Sequence, residues 1–187
     1  MKMNEEKELP VAQDIAWQAL NDIALLQTCI PGCESIQQKD DGSFEVLITA
    51  AVGPIKAKFK GQMRMKDIVA PTSYTLEFSG QGGAVGYGRG EAGVALSPLA
   101  SGKTLLRYTA TASVGGKLAQ VGSRLIDMAA QKMAADFFDA FLAELTKRYA
   151  AAPQPAPAAV SSQRRAGPGL FASFVTWLGR MFGKRAA

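Results

Sequence analysis

Histidine is absent from all 187 residues, and cysteine occurs only twice, at Cys29 and Cys33. The first absence removes the side chain that most often moves protons near neutral pH, and with it every Ser/His/Asp or Cys/His nucleophilic arrangement. The second leaves two thiols flanking Ile30, Pro31 and Gly32, short of the four ligands of a structural zinc site without help from Asp or Glu. They read as ordinary reduced thiols beside a turn, and no metal centre is expected. Acids are missing from residues 150–187, which carry Arg164, Arg165, Arg180, Lys184 and Arg185. An apolar segment is missing from the charged first ten residues, so nothing there reads as a secretion signal, and the expectation is a cytoplasmic protein.

What is present divides the chain in three. Residues 1–149 hold 16 Lys+Arg against 16 Asp+Glu, a neutral body. Residues 150–169 are mostly Ala, Pro, Ser, Gln and Gly, and Pro153, Pro155, Pro157 and Pro168 forbid a continuous helix, as in an extended, disordered tether. In residues 170–187, Leu170, Phe171, Phe174, Val175, Trp177, Leu178, Met181 and Phe182 recur at helical spacing, with Arg180, Lys184 and Arg185 among the polar positions. Such a helix reaches only about 24 Å, short of the roughly 30 Å needed to span a bilayer. It has the composition of a helix lying in the interface of an anionic membrane. Docking of the same stripe on its own domain or on a partner protein is the alternative.

The body is long enough for one domain with a sizeable core. Its order of periodicities is a polar strand at residues 4–9, helical pieces at 11–20 and 22–28, then two-residue alternation until a long helix at 117–151. Strands are expected at 44–52, 55–67, around Tyr74 to Phe78, at 86–98 and around Thr104 to Ala110. On the second of these Ile55, Ala57, Phe59, Gly61, Met63 and Met65 alternate with Lys56, Lys58, Lys60, Gln62, Arg64 and Lys66. The last helix is expected to present Leu118, Val121, Leu125, Ala129, Met133, Phe137 and Phe141 inward. The fold class is α+β, a curved antiparallel sheet around a long C-terminal helix with an apolar tunnel between them. The alternation nominates Phe59, Met63, Met65, Tyr74, Leu76, Phe78, Tyr87, Leu106, Tyr108, Leu125, Ala129, Met133 and Phe137 as core or cavity lining.

Two clusters carry a sharper and a plainer reading. Gly80, Gly82, Gly83, Gly86, Gly88 and Gly90 miss the dinucleotide spacing at Val85 and Glu91 and open a strand, so they read as bends and close approaches, with a ligand portal as the sharper possibility. The lysine row on residues 55–67 guards an edge against aggregation or docks an acidic partner or lipid heads. Nucleic acid is not expected, because the body is neutral and no aromatic platform interleaves these cations. Glu91 and Asp127 are the carboxylates nearest the tunnel and read as solvated or capping groups.

Four strings in order, CIPGCES (Cys29 to Ser35), VGPIKAKFKG (Val52 to Gly61), GQGG and the glycines after it (Gly80 to Gly90), and VGGKLAQVGSRLID (Val114 to Asp127), resemble the CoxG family of carbon monoxide dehydrogenase accessory subunits. The resemblance covers about residues 1–148. It implies the helix-grip, START-like fold of the SRPBCC superfamily, and an accessory protein, not an enzyme, that brings a cytoplasmic molybdenum hydroxylase, carbon monoxide dehydrogenase, to the inner face of the cell membrane. It further implies a quinone, ubiquinone or menaquinone, held in the apolar cavity so that electrons reach the quinone pool; among the residues nominated by the alternation, Tyr87 or Tyr108 is the expected donor to a quinone carbonyl. A cyclase or aromatase on the same fold and a membrane adaptor with a filled core are the alternatives.

Overall fold

The computed structural model describes residues 1–149; the readings of residues 150–169 as a linker and 170–187 as an amphipathic membrane helix lie outside the described residues. The chain runs β1 (Lys2–Leu9), α1 (Gln13–Leu20), α2 (Ile23–Cys29), β2 (Cys33–Gln38), β3 (Phe44–Val52), β4 (Ile55–Val69), β5 (Ser73–Gln81), β6 (Tyr87–Pro98), β7 (Thr104–Gly115) and α3 (Ser123–Tyr149). The strands form one antiparallel sheet in the order β1-β7-β6-β5-β4-β3-β2. β2 to β7 is thus a meander, and β1 closes its far edge against β7. Because β1 and β2 lie at opposite edges, α1 and α2 carry the chain across the sheet, and α3 packs along the same side.

β2 extends the strand set expected from sequence. It follows directly on the Cys-Ile-Pro-Gly-Cys turn, and its bulge between Cys33 and Ser35 interrupts the alternation that marks the other strands. The turn needs Gly32, whose φ is +71° and whose place a Cβ would take only 2.1 Å from the Thr49 carbonyl oxygen. Cys29 is buried and Cys33 half-buried; both are free, with burial the leading cause pushing each thiol pKa up.

The long helix begins later than residue 117. Gly116–Val121 is a 3-10 turn, Gly122 has φ +92°, and α3 starts at Ser123. Its buried residues are Phe138, Phe141 and Leu145. The expected inward stripe fails upstream for a geometric reason: steps of four residues each overshoot a 3.6-residue turn, so four steps back from Phe141 place Leu125 about 160° away. Leu125 is 39% exposed.

The fully buried large side chains, Leu9, Leu25, Leu96, Leu106, Phe141 and Leu145, come from β1, α2, β6, β7 and the second half of α3. Thr104, buried among them, donates its hydroxyl to the Val11 carbonyl at 2.8 Å and ties β7 to the start of the helical crossing. Asp22 caps α2, accepting from the Leu25 amide at 3.1 Å, and its other oxygen receives Arg148 of α3 at 3.0 Å. The backbone hydrogen bond, with Arg148 assisting, holds the Asp22 carboxyl below its ordinary pKa of 3.8. Asp22→Ala is expected to cost about 1 kcal/mol of stability near neutral pH. Since the folded pKa is depressed, that contribution is complete above the ordinary value and lost as pH falls through the folded one. Thermal melts of the two proteins should therefore differ at pH 7 and converge in strong acid.

The lysine row of β4 faces outward as expected, but acids of neighbouring strands meet most of it. Lys58 pairs with Glu34 at 2.7 Å, Lys60 with Glu45 at 3.1 Å, Arg64 with Asp41 at 2.8 Å, and Lys66 with Glu77. Cross-strand pairing turns the row into a nearly neutral ladder, which does not suit an acidic partner; the guarding role is corrected too, because β4 lies inside the sheet between β3 and β5 and presents no open edge.

Candidate functional site

An apolar cavity of about 300 Å³ lies between the inner face of the sheet, the α1–α2 junction and the second half of α3. Its floor is built by cross-strand neighbours: Phe44 opposite Met63, Met65 opposite Leu76, Leu76 opposite Ala92, Tyr74 opposite Val94, and Val94 opposite Tyr108. Ile23, Leu26 and Ile30 form one wall at i, i+3 and i+7, the spacing of a single helical face, and Phe137 and Phe138 form another.

The polar groups at this wall are few. Asn21 donates its side-chain amide to the Trp17 carbonyl at 2.8 Å. Tyr74 is held edge-on by Trp17, centroids 5.6 Å apart, and Tyr108 is stacked on Phe138 at 5.2 Å. Burial pushes the pKa of Tyr74 up to about 12. Tyr108 is likewise pushed up to about 12, by burial first and then by the nearby Glu5 carboxylate on β1. Glu5 stands directly opposite Tyr108 across the β1–β7 pair and is the acceptor nearest in register, while the Tyr108 hydroxyl is fully buried and makes no hydrogen bond of good geometry. Both phenols are therefore neutral donors across the physiological range. No carboxylate, amine or thiol lines the cavity. The chemistry it supports is the holding of a flat apolar molecule bearing a hydrogen-bond acceptor.

Of the side chains nominated from sequence, Met63, Met65, Tyr74, Leu76, Leu106, Tyr108 and Phe137 come together on this wall. Phe59 and Phe78 lie on the inner face but in its glycine-rich half, and Ala129 and Met133 are half-buried on the first half of α3; none of the four lines the cavity. Leu125, turned away by the coiling of the four-residue stripe, is exposed. Tyr87 is a correction: it pairs with Gln81 and Gly115, which the register places on the outer face, and its ring lies across Gly115. The strand starts at Tyr87, one residue after the expected start, and a shift of one position exchanges faces. The glycine cluster does not border the cavity either. Gly86, at φ +121°, is required because a Cβ there would stand 2.0 Å from the Gly115 carbonyl oxygen.

Sequence reasoning misses the α1–α2 contribution, although the Ile23, Leu26, Ile30 spacing is a usable signal. It also misses Phe44, whose pairing with Met63 requires the register. A wider, open depression of about 850 Å³ crosses the outer face, but Gln62, Arg64, Glu77, Arg89 and Glu91 make it a wet surface of mixed charge. Among the described residues, no cluster of Cys, Asp and Glu is grouped to hold a metal ion, and no helix is long and apolar enough to cross a membrane.

The family model for CoxG, a subunit of carbon monoxide dehydrogenase, matches residues 6–146. No curated protein matches the chain. A conserved protein from Geobacillus kaustophilus has a similar structure, with a TM-score of 0.74 at 30% identity over 79% of this chain and 96% of that one. The Zhui aromatase/cyclase from Streptomyces sp. R1128 is similar at a TM-score of 0.59 and 14% identity, covering 81% of this chain and 97% of that one. A START superfamily protein from Mycobacterium smegmatis gives 0.59 at 11%, over 79% and 98%. These last two likenesses establish the helix-grip, START-like architecture and nothing about ligands.

Proposed function

The chain belongs to the CoxG family of carbon monoxide dehydrogenase subunits, and on that footing we propose that it is a non-enzymatic accessory protein that holds a quinone for a molybdenum-containing carbon monoxide dehydrogenase at the inner face of the cell membrane. The accessory role follows from the family. The quinone reading rests on one observation: an apolar cavity whose lining includes two tyrosines, Tyr74 and Tyr108, and no charged side chain. A quinone ring offers apolar faces and carbonyl acceptors to such donors. At about 300 Å³, the space is at the small end of ligand pockets and suits the ring, while a long isoprenoid chain has to leave it. Membrane attachment is assigned to the stripe from Leu170 to Phe182 with Arg180, Lys184 and Arg185.

Organic extraction of the purified full-length protein is expected to release a quinone, identified by its absorbance and mass; ligand-free protein from quinone-producing cells would count against the reading and favour an adaptor. Flotation with anionic vesicles is expected to fall in protein ending at Tyr149, and equal flotation would remove the tether. A cyclase on this fold is less well supported, since its chemistry needs acid and base groups that this wall does not supply.

A further inference from the structure

The β3–β4 hairpin, the β5–β6 connection, the 3-10 turn at Gly116–Val121 and the first turns of α3 meet at one end of the body. Three of its large apolar side chains are turned to solvent: Tyr87 at 44%, Leu125 at 39% and Met128 at 57% exposure. The charges at this end are also unusual for this protein. Most cations of the body are tied into ion pairs, but Lys2, Lys56, Arg89, Lys117 and Arg124 are not, among the described residues. Lys56, Lys117 and Arg124 belong to the loops and element starts at this end and are exposed, with Asp127 as the acid beside them, whereas Arg89 stands further in, on the outer face of the sheet with Glu77 and Glu91. A body with no net charge therefore presents one cationic, apolar-tipped pole.

We propose that this pole is a second membrane contact, which sets Tyr87, Leu125 and Met128 into the interface of an anionic bilayer while Lys56, Lys117 and Arg124 meet lipid phosphates. Apolar side chains on the first turns of α3 and at the start of β6, interleaved with unpaired cations, suit a fluid surface that needs no matching shape. A protein partner of comparable affinity requires a contiguous, complementary patch. Unlike an attachment through residues 170–187 alone, a contact made by the body fixes how the domain is oriented. The inference goes beyond the proposed function and survives its failure, because neither the cavity nor the tail enters it.

The test uses full-length protein and vesicles of phosphatidylcholine with or without phosphatidylglycerol. K117E/R124E is expected to lower partition onto the anionic vesicles by about tenfold or more, with an unchanged melting temperature and no difference on the neutral ones. L125D is expected to act in the same direction; as Leu125 also rests near Gly53, the double charge reversal decides if L125D unfolds. R180E/K184E/R185E, made in parallel, reports the tail, and its effect should add to that of K117E/R124E. Wild-type partition by K117E/R124E would overturn the proposal. So would loss of binding to the dehydrogenase with vesicle partition intact, which would make the pole a protein interface.

Discussion

Ala92→Trp is expected to empty the cavity of ligand while leaving the domain folded. Ala92 stands on the inner face of β6, opposite Leu76 and Ala110, where a larger side chain has nowhere to go but into the space of about 300 Å³. In a filled core such overpacking costs about 1–3 kcal/mol. Here the void accepts the indole, so the penalty falls on the ligand that has to share the space. The same 1–3 kcal/mol applied to binding corresponds to about a 5- to 150-fold loss of affinity. The measurement pairs the quinone extracted per mole of protein with the melting temperature. A folded variant that retains its full complement of quinone would show that the ligand sits elsewhere. Val94→Phe, on the same wall, serves if the indole proves too large.

That such a cavity exists is legible in the sequence only in part, and the division has physical causes. β4 announces itself because one face is apolar and the other polar and mostly charged over the twelve residues from Ile55 to Lys66, and a period of two survives any error of a residue at either end. Met63, Met65, Tyr74, Leu76, Leu106 and Tyr108 follow from that alternation and its neighbours. Phe44 and Ala92 do not, because their membership of the wall is a property of strand register, and register is written across partners far apart in sequence. Tyr87 reads as inward from sequence because the alternation has no phase in a glycine-rich stretch. Along α3 the error has another source: a stripe drawn at strict four-residue spacing coils around the helix, so Phe137 is on the wall while Met133, Ala129 and Leu125 are progressively off it.

The charge pattern divides in a similar way. From sequence, the β4 lysines are the conspicuous basic feature, yet Glu34, Asp41, Glu45 and Glu77 reach them from β2, the β2–β3 turn, β3 and β5. Lys117 and Arg124 look unremarkable in the linear chain. Only the fold gathers them with Lys56 at one pole and leaves them without ion-pair partners among the described residues.

Tyr108→Phe is expected to stabilise the ligand-free protein and weaken its hold on the ligand, two effects of opposite sign from one oxygen atom. The phenyl ring keeps the stack on Phe138 at 5.2 Å, so packing is retained. What disappears is a buried hydroxyl with no partner, and relief of such a group is worth about 1–3 kcal/mol. A neutral hydrogen bond to a quinone carbonyl contributes about 0.5–1.5 kcal/mol net, so binding should weaken by about two- to tenfold. Calorimetry of extracted protein and quinone titration separate the two. A lowered melting temperature in the ligand-free state would mean that Glu5 satisfies the phenol and that its role is structural; unchanged affinity would mean that the ligand never meets it. The pH dependence adds a check. With the folded pKa pushed up to about 12 against an ordinary 10.0, the phenol is neutral and able to donate throughout the range from about pH 6 to 9, and ligand retention should be flat there. Above about pH 10 the unfolded chain ionises while the folded one does not, so wild-type stability should fall with pH, and the Phe variant should lose that part of the slope. Both outcomes together would mark Tyr108 as a residue kept for the ligand and not for the fold.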